Sequence, residues 1–294
     1  MPSANLRGLV IAAAAVLALV PCVPREQPAH PEPVHLAGAD TTSTERSLAT
    51  APAQGIDVAD HQHSHGPIQW RVVARHYEFA YIKATEGTSY VNRYYTSDSK
   101  SALRAGIEVG GYAFATPDDA SGAAEANYFL RHSGYARDRT LLFPMVDLEW
   151  NPYSTGGRCY GLSRPSLTSW IRSYSDAIHR ALGVTPVIYT QASFWNRCVG
   201  PTSAFVDSPL WVGSDGAASS TEVPAGFPAW EIWQSGVGSA AGVHGPVDVD
   251  TFNGTAAQLE AELTAKGRLR AQPAQAYPAS TRSELSRPRP SDTT

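Results

Sequence analysis

Two carboxyl groups stand two residues apart in Asp147-Leu148-Glu149, directly after the apolar run Leu141-Leu142-Phe143-Pro144-Met145-Val146. On a β-strand, residues i and i+2 point to the same face, about 7 Å apart along the backbone. Carboxylates held that close repel when both are ionised, so one pKa rises. The group that stays protonated near neutral pH can hand its proton to a leaving oxygen. Its ionised neighbour can stabilise the positive charge that develops. Cleavage of an acetal link between sugars through an oxocarbenium-like transition state needs this pairing. Alone, Asp-x-Glu also suits two solvated charges at a strand end. Asp57 and Asp248 change the balance, because each falls in another short apolar segment and packing gives no reason for acids there.

The elements that must position these residues alternate between strand and helix. Strands are expected at Gln54–Val58, Phe79–Thr85, Glu108–Ala115, Leu141–Glu149 and Val187–Thr190, with helices at Pro67–Arg75, Tyr95–Ala105, Ser121–His132 and Pro165–Leu182 between them. Then the pattern changes: Leu210–Gly213, Trp230–Gln234 and Val247–Phe252 read as strands without long helices between them, and Ala256–Lys266 as a closing helix. The fold expected is α/β: an irregular TIM-like barrel with five strand–helix units followed by three strands, eight strands in all. Active sites of such barrels lie at the C-terminal strand ends. There the sequence places Asp57, the group Lys83, Thr85 and Glu86, the pair Tyr112 and Phe114, then Asp147 and Glu149, Tyr189, Trp233 and Gln234, with Asp248 and Asp250 in the last strand. Glu86 is an alternative acid or, with Lys83, a group that orders its strand-end loop.

Seven segments together carry a family resemblance. They are Gly55-Ile56-Asp57-Val58 followed by Trp70, Tyr81-Ile82-Lys83-Ala84-Thr85-Glu86-Gly87, Gly111-Tyr112-Ala113-Phe114-Ala115, Pro144-Met145-Val146-Asp147-Leu148-Glu149, Pro186-Val187-Ile188-Tyr189-Thr190, Trp233-Gln234 and Val247-Asp248-Val249-Asp250. In order and spacing they resemble glycoside hydrolase family 25, from Gln54 to Leu263. The resemblance implies hydrolysis of the β-1,4 bond between N-acetylmuramic acid and N-acetylglucosamine in peptidoglycan. It implies Glu149 as general acid and Asp147 as the carboxylate that steers the substrate's own N-acetyl group. Asp57 and Asp248 become the supporting acidic pair, with Asp250 a second candidate for the latter. Tyr112, Phe114, Tyr189, Trp233, Gln234, Glu86 and Asp250 are then the expected substrate contacts, with wall packing the other reading for Trp233 and Gln234. Two departures stand out. Ala113 occupies a place where the family often carries His, and Val212-Gly213-Ser214-Asp215 one where an aromatic or basic residue is usual.

Composition bounds the alternatives. Lys plus Arg number 23 against 27 Asp plus Glu, with no basic run, which argues against a nucleic-acid partner. Residues 1–24 read as an export signal: Arg7, then the apolar stretch Leu9–Val20, too short to span a bilayer, broken by Pro21 and Pro24. Residues 25–53 read as a disordered linker, 54–267 as the catalytic barrel domain and 268–294 as a disordered tail. The expected product is a secreted or wall-associated monomer, not inserted in a membrane after signal removal, with no cofactor and no metal. Cys22 departs with the signal or, in a lipoprotein reading, carries a lipid. Cys159 and Cys198 remain, and in an oxidising compartment an even pair suggests one disulfide, two buried thiols being the other reading. His61, His63 and His65 alternate, which suits a solvated turn better than a metal cluster. A chitin-type endoglycosidase would carry more acids where Phe143-Pro144-Met145-Val146 stand, and a silent glycan-binding module would lack one of the four acids.

Overall fold

The computed structural model describes residues 51–135, 141–153, 156–214 and 223–266, with side chains to residue 261. The expected export signal, Cys22, residues 25–50 of the linker, Asp215 and the tail 268–294 lie outside the described residues. Among the described residues nine strands form one sheet: β1 Pro52–Val58, β2 Phe79–Glu86, β3 Tyr90–Val91, β4 Glu108–Phe114, β5 Met145–Asp147, β6 Val187–Gln191, β7 Leu210–Gly213, β8 Ile232–Gly238 and β9 Val247–Thr255. Their order is β1-β9-β8-β7-β6-β5-β4-β2-β3, and β1 also pairs with β2, which closes eight strands into a barrel and leaves β3 as a hairpin partner of β2. The helices are α1 Trp70–Val73, α2 Tyr95–Ala105, α3 Gly122–Ser133, α4 Arg164–Leu182 and α5 Ala256–Lys266.

Most neighbours run parallel, but β9 is antiparallel to both β1 and β8. Only residues 239–246 join β8 to β9, too short for the crossover that parallel neighbours require. Other boundaries differ from expectation for identifiable reasons. β5 keeps three residues of the expected Leu141–Glu149, yet the wall is continuous around it: Leu142 N donates to Val109 O (2.8 Å), Val187 N to Pro144 O (2.9 Å) and Leu148 N to Tyr189 O (3.0 Å). Pro144 has no N–H to extend the ladder. β1 begins at Pro52, inside the expected linker. The expected helix Pro67–Arg75 shrinks to the single turn α1, because Gln69 N is bonded to Gly242 O (2.7 Å) and is held outside a helix until that point.

Strict alternation sorts the strand residues. Outward-facing Ile56, Ile82, Val109, Val146, Ile188 and Leu210 pack under the helices, which present Phe129 from α3 and Leu167, Ile171, Tyr174 and Ile178 from α4. Full burial of each such side chain contributes about 1.5–3 kcal/mol. The start of α4 is fixed by Ser163, whose hydroxyl accepts from Ser166 N, with Pro165 in the first turn. Inward-facing Phe79, Tyr81, Tyr112, Met145, Val187, Tyr189 and Trp211 fill the barrel. Such large rings fit because glycines face them: a Cβ on Gly110 would run into the Tyr81 ring, and one on Gly213 into the Tyr189 hydroxyl.

Cys159, on the loop after β5, is bridged to Cys198, in the π-helical turn Trp195–Val199 after β6, with Cα atoms 5.5 Å apart. The closed loop spans a sequence separation of 39. Chain-entropy reasoning puts its worth at about 2–4 kcal/mol. The doubly substituted Cys159→Ala/Cys198→Ala protein should therefore unfold at clearly lower denaturant than the oxidised parent. An unchanged midpoint would show that the bridge does not restrain the unfolded chain.

Candidate active site

Four carboxyl groups meet at one mouth of the barrel. Asp57 is the last residue but one of β1, and directly across the antiparallel ladder stands Asp248 of β9. Asp147 ends β5. Glu149 lies just beyond it, and because Leu148 still bonds to β6 the alternation persists, Leu148 pointing out and Asp147 and Glu149 pointing in. The cleft they share holds about 670 Å³. Tyr112, Phe114, Met145, Tyr189, Gln191 and Gln234 line it, as do Asp60 and His61 on the turn after β1, and Ser214, Gly236 and Val237 on the far side. A second groove of about 620 Å³ runs along α4 past Arg164, Arg172, Asp176 and Arg180; it contains one carboxylate and no acid pair, so the chemistry belongs to the first cleft.

Hydrogen bonds fix the acids. The Tyr189 hydroxyl donates to Gln234 Oε1 (2.7 Å), which leaves Gln234 Nε2 to donate to Asp57 Oδ2 (2.7 Å). Gln191 Nε2 donates to Glu149 Oε2 (3.2 Å). Lys83 pairs with Glu86 and sits 4.7 Å above the Phe114 ring, and the Tyr153 hydroxyl also donates to Glu86. Asp147 Oδ1 is shut off from solvent and has no hydrogen-bond partner among the described residues.

Burial, ahead of repulsion, governs the titration of these groups. It raises Asp147 well above the usual carboxylate range, with Glu149 adding to the rise and Lys83 opposing it. Glu149 is pushed up to about 7, by burial first and Asp248 second, against Lys83. Asp57 is raised by burial and by Asp248, against the Gln234 hydrogen bond, and Asp248 by burial against His61. The expectation from sequence gave repulsion within the 147/149 pair as the cause; the walls of the cleft contribute more. Chemically, the arrangement offers a proton on a carboxyl near neutral pH, with a second carboxyl two residues away that can accept from a bound donor.

Three expected contacts fall elsewhere. Trp233 points away from the cleft, since its neighbours Ile232 and Gln234 take the inward positions. Its indole N–H donates to Ser214 Oγ (2.9 Å), so it props the cleft wall from behind. Asp250 is fully buried below the cleft, out of reach of any ligand in the cleft; burial, then Asp57 and Asp248, raise its carboxyl well above the usual range, against the Trp211 N–H. Glu86 is committed to Lys83 and Tyr153 and lies outside the cleft lining. His63 stands in the 3-10 turn Asp60–His65, bonded to Asp98 (2.7 Å) and stacked on Tyr94. Gln191, Asp60, His61 and Val237 were not anticipated. For Gln191 a signal existed, because Tyr189-x-Gln191 has the period of an inward strand face.

Comparison with known proteins agrees with this geometry. The family profile described as Glycosyl hydrolases family 25 matches residues 56–243. The chain belongs to glycosyl hydrolase family 25. This family 25 hydrolase is 41% identical over 219 residues to Lysozyme M1 of Streptomyces globisporus, covering 73% of this chain and 74% of that one. It is 36% identical over 206 residues to the N,O-diacetylmuramidase of a Chalaropsis species, covering 66% and 95%. Among solved structures it superimposes on the lysozyme of Streptomyces coelicolor with a TM-score of 0.68 at 41% identity, covering 74% of this chain and 99% of that one. It is accordingly a glycoside hydrolase of the muramidase kind, and peptidoglycan hydrolysis is its class of activity.

One buried acid of the hydrolase stands apart from the cleft. Glu125 of α3, fully buried, accepts from Thr116 N and from Thr116 Oγ1 (3.1 Å) just after β4. Burial pushes it up to about 8 from an ordinary value of about 4.5. A raised carboxyl binds its proton more tightly folded than unfolded, so its contribution is present in full below about 4.5 and lost as pH rises towards 8. Glu125→Gln should flatten this slope, with a Tm below wild type at pH 5 and at or above it at pH 8. Parallel Tm–pH curves for the two proteins would exclude Glu125 as the source.

Proposed function

We propose that this chain is an exported endo-acting muramidase that cuts the β-1,4 bond between N-acetylmuramic acid and N-acetylglucosamine. The observation that carries the reading is the inward pair Asp147 and Glu149, with Glu149 titrating near 7 in a cleft shared with Asp57 and Asp248. Glu149 gives its proton to the glycosidic oxygen as the C1–O bond breaks. The carbonyl oxygen of the sugar's own 2-acetamido group closes on C1. Asp147, which lines the cleft, accepts the acetamido N–H, and that bond favours its ionised form. Glu149, now ionised, takes a proton from water as the water opens the cyclic intermediate. Asp57 and Asp248 hold negative potential against the cationic centre, with Gln234 keeping Asp57 in place.

Residues 1–24 serve export in this reading, 25–53 a tether whose last two residues join β1, and 54–267 the catalytic domain. Purified peptidoglycan digested with the protein, followed by mass analysis of the new reducing ends, tests the proposal. Reducing-end N-acetylmuramic acid supports it; reducing-end N-acetylglucosamine, or no cleavage, would overturn it.

A further inference from the structure

Gln191 is the last residue of β6, and the alternation that turns Val187 and Tyr189 into the barrel also turns Gln191 inward. The register between β5 and β6 pairs Met145 with Val187 and Asp147 with Tyr189. Continued by one more inward step, it sets Gln191 opposite Glu149, and the two side chains meet there, Gln191 Nε2 donating to Glu149 Oε2 (3.2 Å). We propose that Gln191 is a positioning residue that fixes which oxygen of Glu149 carries the transferable proton. This rests on the reading of Glu149 as the acid.

The argument is one of hydrogen-bond valence. In a protonated carboxyl one oxygen is carbonyl-like and accepts, while the other carries hydrogen. An amide N–H on Oε2 makes that oxygen the acceptor and assigns the proton to Oε1, free to face the scissile oxygen. The opposite amide orientation would present the Gln191 carbonyl to the Glu149 hydroxyl, tying the proton into an internal bond and withholding it from substrate. The same donor favours the carboxylate that Glu149 becomes once it has given up its proton, as any N–H to a carboxylate does. A second amide does comparable work nearby: Gln234, with both ends engaged, holds Asp57. The cleft thus assigns one inward glutamine to each of two acids.

The test is a pH–rate profile on one soluble muropeptide oligomer for wild type, Gln191→Met and Gln191→Lys, with Gln191→Leu in reserve should the Met variant not fold. Gln191→Met keeps length and neutrality but has no donor. Its kcat should fall by on the order of tenfold or more, the scale for a misplaced catalytic group, with KM within about twofold. Its upper pH limb should move up by about half a unit, because the donor that favoured ionisation is gone. Gln191→Lys, which adds a cation, should move the limb down and shows that the limb can respond. A Met variant with wild-type kcat, or one that loses rate while its limb stays put as the Lys variant's limb moves, overturns the proposal. Glu149→Gln, measured alongside, separates the two readings: if it keeps near wild-type turnover, the acid assignment itself has failed.

Discussion

Glu149→Gln is expected to lower turnover on peptidoglycan by about a hundred- to ten-thousand-fold, with the fold and the affinity for glycan retained. Gln has nearly the shape of Glu, and its amide can keep the contact to Gln191 that now spans 3.2 Å. What it lacks is a proton that can leave. The sign of the pH dependence follows from the same group. An acid catalyst must be protonated, and Glu149 titrates at about 7, so wild-type activity should be high below that pH and fall as pH rises through it. The variant should show no such limb in its residual rate. Initial rates across pH, with circular dichroism to establish folding, decide the matter. Near wild-type turnover in the variant would sink the assignment of Glu149.

Asp147→Asn is expected to cost on the order of a hundredfold in kcat, and by a different route. Burial raises Asp147 well above the usual carboxylate range, with Glu149 adding to the rise and Lys83 opposing it. It must be ionised to accept the acetamido N–H, so the acidic limb of the profile reports its deprotonation in the complex. Asn removes that titration and places an amide where a carboxylate should be, so the acidic limb should disappear while the upper limb, set by Glu149, persists near 7. The two limbs belong to a coupled pair and are read as macroscopic values. A variant with unchanged kcat and both limbs in place would make Asp147 a bystander.

Which features were legible in the sequence follows from the range of the interactions that create them. Asp147 and Glu149 could be read because period-2 alternation on an apolar segment is local, and it survives although the ladder assigned to β5 ends at Asp147. The barrel was legible in the sequence of apolar runs, caps and helix stops. Of the two readings open for Trp233, the wall position follows from a local reason too: being adjacent to Gln234, it must face the other way. Asp250 shares a face with Asp248 yet lies one layer deeper, a matter of depth along the barrel axis that alternation does not encode. The contact from Gln234 to Asp57 joins the two ends of the folded chain, and no neighbouring residue announces it. The hairpin strand Tyr90–Val91 has two residues, too few for a pattern to show.

The reversed last strand has a consequence for how the molecule comes into being. β9 is inserted between β1 and β8, so the first of the described strands finds one of its two neighbours only in the last of them. Pairings so distant along the chain carry a large loop-closure cost and tend to form late. Until they form, β1 and β8 are open edges that invite association with other chains. Asp57 and Asp248 are also brought together by that pairing, so a chain whose β9 has not docked lacks the assembled set of four acids. A growing or unfolded chain is thus a harmless one, and the capacity to cut glycan arrives in a single closing event when the final stave slides into place.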